Sequence, residues 1–301
     1  MLGGCGSGSS KPLRIAIQPW AGYQFMSLAG KEGWLPPGIE LLYTPTAVES
    51  IRNVERGDVH GAALTLDQAL VLVDKGIALS IVLITNVSAG ADVLLVRPEI
   101  GTLADLRGKR IGAEATSLGT IMLAKMLQAA GLNRADVQVV EMTEDHVQSW
   151  HAQEMDALLT YEPALGELRQ LGLVPLFDTR SLPGEILDVL AIRRDAIDSY
   201  DSEVRALVAG HFRGLHEWRT NSLDVAHRLA PLMKVPADRV SESFQGLDLP
   251  DLDFNRHYLD GPSPVLLQTT VDIARTMQQA GMLKSAITTD GLFTAEYLPP
   301  T

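Results

Sequence analysis

Residues 88–120 read SAGADVLLVRPEIGTLADLRGKRIGAEATSLGT, an apolar run that opens on Ser88-x-Gly90-x-Asp92 and closes on Thr116-Ser117-Leu118-Gly119-Thr120. Residues 92–96 have the composition of a buried strand, residues 102–106 of a short capped turn, and residues 110–112 of a second strand feeding a helix start. The stretch therefore reads as a junction between two α/β halves. Upstream, strand patterns at 13–17, 39–43, 61–64 and 78–85 alternate with helix patterns at 23–32, 47–56 and 68–75. Downstream, strands at 110–112, 137–140 and 157–160 alternate with helices at 118–130, 143–151 and 163–170, and residues 187–192 look like a return strand. Short connections of this kind imply a mainly parallel sheet in each half, covered on both faces by helices. Beyond residue 193 the patterns are helical, at 201–219, 223–232, 237–243 and 265–279. The expected organisation is two lobes: residues 13–90 with 193–301, and residues 91–192, joined by hinge strands at 91–96 and 189–192.

The bulk composition fits a globular chain of that size. It has 301 residues, 46% hydrophobic and 21% charged, enough to bury a substantial core. A formal charge of −12 argues against a phosphate-backbone partner, because nucleic-acid affinity comes from clustered Lys and Arg displacing counterions. The long apolar run at 77–96 is interrupted by Asn86, Ser88 and Asp92, which favours core strands over a membrane span.

In open α/β sheets, ligands sit beyond the carboxyl ends of strands, where loops lead into helix N-termini. That rule selects the segments 18–23, 64–67, 85–92, 115–120 and 160–163. From the first come Gln18, Trp20, Gly22 and Tyr23: an aromatic wall, a glycine allowing close approach and a phenol donor. The second supplies Thr65 and Asp67, and the third supplies Ser88 and Asp92, an acid too costly to bury unpaired. Ser117, Leu118, Gly119 and Thr120 stand at a helix start whose N–H groups cap locally or grip an anion. Glu162 precedes Pro163 at another helix start, and Asp188 joins it among the acids expected near the cleft. Acids on one side and an anion trap on the other point to an amine-bearing or zwitterionic ligand.

The wording of residues 88–120 closely resembles the substrate-binding proteins of ABC importers for nitrate, sulfonates, taurine and thiamin precursors, the NMT1/THI5-like group. Two further segments resemble that group: Trp20-Ala21-Gly22-Tyr23, and Tyr161-Glu162-Pro163, where tyrosine stands in place of the usual tryptophan. The resemblance implies a two-lobed type II periplasmic-binding-protein fold with two hinge crossings. It further implies a monomer that captures a small polar molecule and delivers it to ABC permease subunits, without catalysis and without a cofactor. An alternative within the same fold is a protein that binds or makes the thiamin pyrimidine precursor.

Enzyme signatures such as G-x-S-x-G, H-E-x-x-H and the Walker loop are absent from the sequence. The histidine pairs 146/151 and 211/216 are spaced five apart, which turns them away from each other on a helix, so no metal site is expected. Leu2-Gly3-Gly4-Cys5 resembles a bacterial lipobox and residues 6–10 a flexible tether. Lipidation at Cys5, with the recorded chain starting part-way through a signal peptide, is the expectation, and with it a periplasmic or cell-surface location.

Overall fold

The computed structural model describes residues 11–143, 145–261 and 265–300. Cys5 and the tether lie outside the described residues. The first sheet contains β1 (Leu13–Ile17), β2 (Ile39–Tyr43), β3 (Gly61–Thr65) and β4 (Leu79–Ser88). The chain then crosses to a second sheet of β5 (Val93–Val96), β6 (Arg110–Glu114), β7 (Gln138–Met142), β8 (Ala157–Thr160) and β9 (Val174–Asp178). It returns as β10 (Leu187–Arg193), and β11 (Leu247–Asp248) completes the first sheet in the order β11-β4-β10-β3-β1-β2. The second sheet has the order β7-β6-β8-β5-β9.

This is the expected two-lobed α/β architecture, with one difference in strand direction. Both sheets are mixed: β1 pairs parallel with β2 and β3, and β6 with β7 and β8, whereas β10 and β5 run antiparallel to their neighbours. The reason is geometric. Apart from the two-residue edge strand β11, which is antiparallel to β4, the other strands run toward the cleft and end there, but a strand entering from a crossing starts at the cleft and runs away from it. For the same reason residues 187–193 are not a strand of the second lobe, contrary to the expected boundary at 192. They form an interior strand of the first sheet, paired with both β3 and β4.

Local chemistry explains the helix ends. After β1 comes α1 (Gln24–Lys31), and α2 (Ala47–Arg56) starts where Thr46 accepts the Glu49 N–H at 3.1 Å and stops at Gly57 with φ 73°. Next come α3 (Leu66–Asp74) and, in the second lobe, α4 (Ser117–Ala130), which Thr116 caps by accepting the Gly119 N–H at 3.1 Å. The second lobe also holds α5 (His146–Ala152) and α6 (Ala164–Gln170). Strands β3 and β4 are buried at every position, as near-continuous apolar runs covered on both faces must be. The long helix Asp201–Thr220 and the helix Ser222–Met233 then wrap the first lobe, packing Leu215, Val225 and Leu229 against Phe25 and Leu28 of α1.

Candidate functional site

The cleft between the sheets is walled by the carboxyl ends of strands from both lobes. It encloses a cavity of about 210 Å³. Gln18, Trp20, Thr65 and Asp188 line it from the first lobe, while Asp92, Leu118 and Glu162 line it from the junction and the second lobe. Trp20 meets Tyr161 edge-to-face across the opening, with centroids 5.6 Å apart and planes at 90°.

Behind Trp20 lies a buried polar chain. The indole Nε1 donates to Asn86 Oδ1 at 3.1 Å, Asn86 Nδ2 donates to Asp188 Oδ2 at 2.7 Å, and the Tyr23 hydroxyl donates to Asp188 Oδ1. Tyr23 is wholly buried and is thus a support for Asp188 rather than a cleft wall. Gly22 is required for a steric reason: a Cβ there would sit 1.7 Å from Asn86 Oδ1. Burial is the main cause that raises the Asp188 carboxyl to about 7, outweighing the bonds from Tyr23 and Asn86. The Tyr23 phenol is pushed up by burial and by the neighbouring Asp188 carboxylate.

Opposite, Glu114 at the end of β6 is held from two sides. Its Oε1 receives Tyr161 Oη at 2.7 Å and lies 2.7 Å from His146 Nε2, while His146 Nδ1 lies 2.9 Å from Thr160 Oγ1. Burial pushes the Glu114 carboxyl up, but the bonds from His146 and Tyr161 outweigh it and leave the group below its ordinary value. Asp92, 5% exposed, is raised to about 6 by burial, with a further push from Asp67 and Glu114 and an opposing bond from Ser88.

The remaining expected residues serve the frame around the cavity. Ser88 Oγ lies 2.7 Å from Thr179 Oγ1, which also accepts the Gly90 N–H at 2.8 Å, so the two crossings are stitched side by side. Asp67 on α3 accepts a hydrogen bond from the Ser117 hydroxyl on α4, across the lobes. Burial raises the Asp67 carboxyl, against that bond. Gly119 lets the first turn of α4 close over the Glu114 carbonyl, 2.4 Å from where a Cβ would stand. Thr120 turns back to donate to the Thr116 carbonyl at 2.9 Å. Of the expected anion trap at 117–120, only Leu118 borders this cavity; the Ser117 hydroxyl is bonded to Asp67 and the Thr120 hydroxyl to the Thr116 carbonyl. Glu162 accepts the Gly166 N–H at 3.2 Å and so steadies the start of α6 as well as facing the cleft.

Pro45 and Gln68 also border the cavity and lie outside the selected segments, and Thr116, inside segment 115–120, borders it in place of Ser117 and Thr120. Pro45 follows β2, so the rule for carboxyl-end loops covers it once that loop is included. His146 was read as one of several scattered helix histidines. It is buried against Glu114 and Thr160, and nothing in a lone histidine on a short helix signals that.

With the geometry in view, the comparisons are consistent. Residues 8–234 match the NMT1-like family. The chain belongs to that family. A binding protein of Brucella abortus is 25% identical over 215 residues, 69% of this chain and 66% of the relative, so the chain's match spans just under two thirds of that relative's length. The taurine-binding periplasmic protein of Escherichia coli is 24% identical over 160 residues, 52% of this chain and 50% of that one. Among solved structures, the periplasmic aliphatic sulphonate binding protein SsuA from Escherichia coli superposes with a TM-score of 0.77 at 18% identity, covering 95% of this chain and 98% of that one. The desulfurization enzyme DSZB superposes with a TM-score of 0.66 at 17% identity, covering 96% and 97%. This NMT1-like fold therefore houses both binding proteins and an enzyme.

Proposed function

We propose that the chain is the extracytoplasmic solute-binding component of an ABC importer, closing two lobes over a small polar organic molecule and delivering it to a permease. The observation that carries this reading is the cavity at the cleft, walled from both sheets, with Trp20 packed edge-to-face against Tyr161. A ligand there contacts both lobes at once, so its binding energy favours the closed arrangement. Bending falls at the paired crossings, residues 88–93 and 179–187, which share few covalent links and are joined by the Ser88–Thr179 contact. Relatives described as periplasmic and as binding sulphonate or taurine support an import role and a periplasmic location. Lipid anchoring through Cys5 and a monomeric state belong to the same reading.

Binding without turnover is favoured over the enzymatic reading by the way the polar groups are used. The Thr160–His146–Glu114–Tyr161 chain is closed on itself, and its histidine is buried beneath the tyrosine rather than open to a substrate. The test is small-angle scattering on the purified protein with and without a small-molecule extract of cells grown on mixed nitrogen and sulfur sources. A smaller radius of gyration, with the bound compound recovered unchanged after denaturation, supports capture. No change in radius, or recovery of a converted compound, overturns it.

A further inference from the structure

Every charged group on the cavity wall is an acid. Asp92, Glu114, Glu162 and Asp188 line it, and no Lys, Arg or His does so among the described residues. Two of these acids already have counterparts: Glu114 takes His146 and Tyr161, and Glu162 caps α6 and has Arg239 and Arg169 in its surroundings. Asp92 and Asp188 differ from them. They are 5% and 3% exposed, they stand at the two crossings between the lobes, and Asp92 adds to the unfavourable field of acids around Asp188. Asp188 feels Asp92 and Asp67; Asp92 feels Asp67 and Glu114, opposed by a hydrogen bond from Ser88 and by His146. The bonds to Asp188 come from the neutral donors Tyr23 and Asn86, which orient a carboxylate without neutralising it.

We infer that the ligand carries a protonated amine or amidine nitrogen, held at the carboxylates of Asp92 and Asp188 with the rings of Trp20 and Tyr161 lining the same cavity. Buried carboxylates without a cation of their own are costly, and a cationic ligand supplies the missing charge at the moment the cleft closes. Aromatic rings next to the site add to that preference, since their faces attract cations. Among the described residues no cluster of three or more acid, histidine or cysteine groups is set to hold a metal ion, so the geometry favours an organic cation. A plain sulfonate or carboxylate would meet like charge at this wall. This inference rests on the capture reading and narrows it.

Matched probes of opposite charge separate the two. Isothermal titration of the full chain with benzamidine and with benzoate, and with taurine and with ethanesulfonate, holds size nearly constant while changing the charge. The expected result is binding by at least one nitrogen-bearing member, at least tenfold tighter than its partner without the nitrogen. Asp92→Asn and Asp188→Asn should each weaken that binding by at least tenfold. Should either variant fold poorly, the wild-type protein provides the second readout: affinity for the cation should fall as pH is lowered from 7.5 to 5, as the two carboxyls take up protons. Equal or tighter binding of benzoate or ethanesulfonate overturns the inference while leaving solute capture intact. Failure of every amine and amidine overturns it too, and the scattering experiment with the extract then decides the capture reading separately.

Discussion

The hydroxyl of Ser117, at the start of α4, donates to the carboxylate of Asp67 on α3, and the two residues belong to opposite lobes. Both are buried, so the bond forms only when the lobes are together. A hydrogen bond to a charged group contributes about 1.5–3 kcal/mol. Ser117→Ala should shift the ligand-free protein toward an open arrangement and weaken ligand binding by roughly tenfold, a loss of about 1.4 kcal/mol. The check is the radius of gyration of the ligand-free variant; a value equal to that of the wild type would show that the contact does not latch the lobes.

Acid pH should stabilise the ligand-free protein as far as the cleft is concerned. The folded chain holds protons on Asp188 to about 7 and on Asp92 to about 6, against a reference of 3.8. Between these values the folded state binds more protons than the unfolded one, so the contribution of these groups falls as pH rises from about 4 to 7. Thermal melts should show a higher midpoint at pH 5.5 than at pH 7.5, and Asp188→Asn should flatten that slope. An unchanged slope in the variant would place the pH dependence elsewhere.

Gly22→Ala tests the polar chain behind Trp20. The new Cβ would strike Asn86 Oδ1, and moving Asn86 away breaks its contacts to Trp20 and Asp188. Overpacking of this kind costs typically 1–3 kcal/mol. Urea denaturation should show that loss together with weakened ligand binding. Restoring space with Asn86→Ala in the same chain should recover stability better than it recovers binding.

Gly246 has φ 76°, and a Cβ on it would stand 2.4 Å from backbone atoms of Gly90 and Ala91, beside the first crossing. Its carbonyl also accepts the Ala89 N–H at 2.7 Å. Gly246→Ala combines strain in the left-handed region with a backbone clash, so it should destabilise by about 1–3 kcal/mol. The effect should appear as faster amide exchange at residues 88–93, measured by hydrogen exchange, before it appears in the helices of the second lobe.

Much of the fold was legible because the chain alternates plainly. The expected strand at 157–160 and the helix at 265–279 coincide with those in the structure, and α4 and β7 differ from expectation by one or two residues at an end. Elements with weak periodicity were missed: β9, which is largely exposed on the sheet edge, and the helix Leu252–Leu259. At the site, Trp20 and Asp92 were accessible to a rule about where strands end, whereas Asp188 stands at the start of β10 and was named only among the acids expected near the cleft. Ser117 and Thr120 were also picked, but a hydroxyl has several partners within reach, and only packing shows whether it faces a ligand, its own helix or the other lobe.

By itself, the sequence determined the α/β fold and most of its strands and helices, because periodicity, turn residues and helix caps act over a few neighbouring positions. Only the tertiary structure decided that β10 lies inside the first sheet, that Tyr23 supports Asp188 from behind, and that Asp67 is tied to Ser117. Those facts depend on contacts between residues 50 to 165 positions apart, which no local pattern encodes. The charge of the cavity wall depends on them most of all, because it is set by which acids lack a cation once the chain has folded.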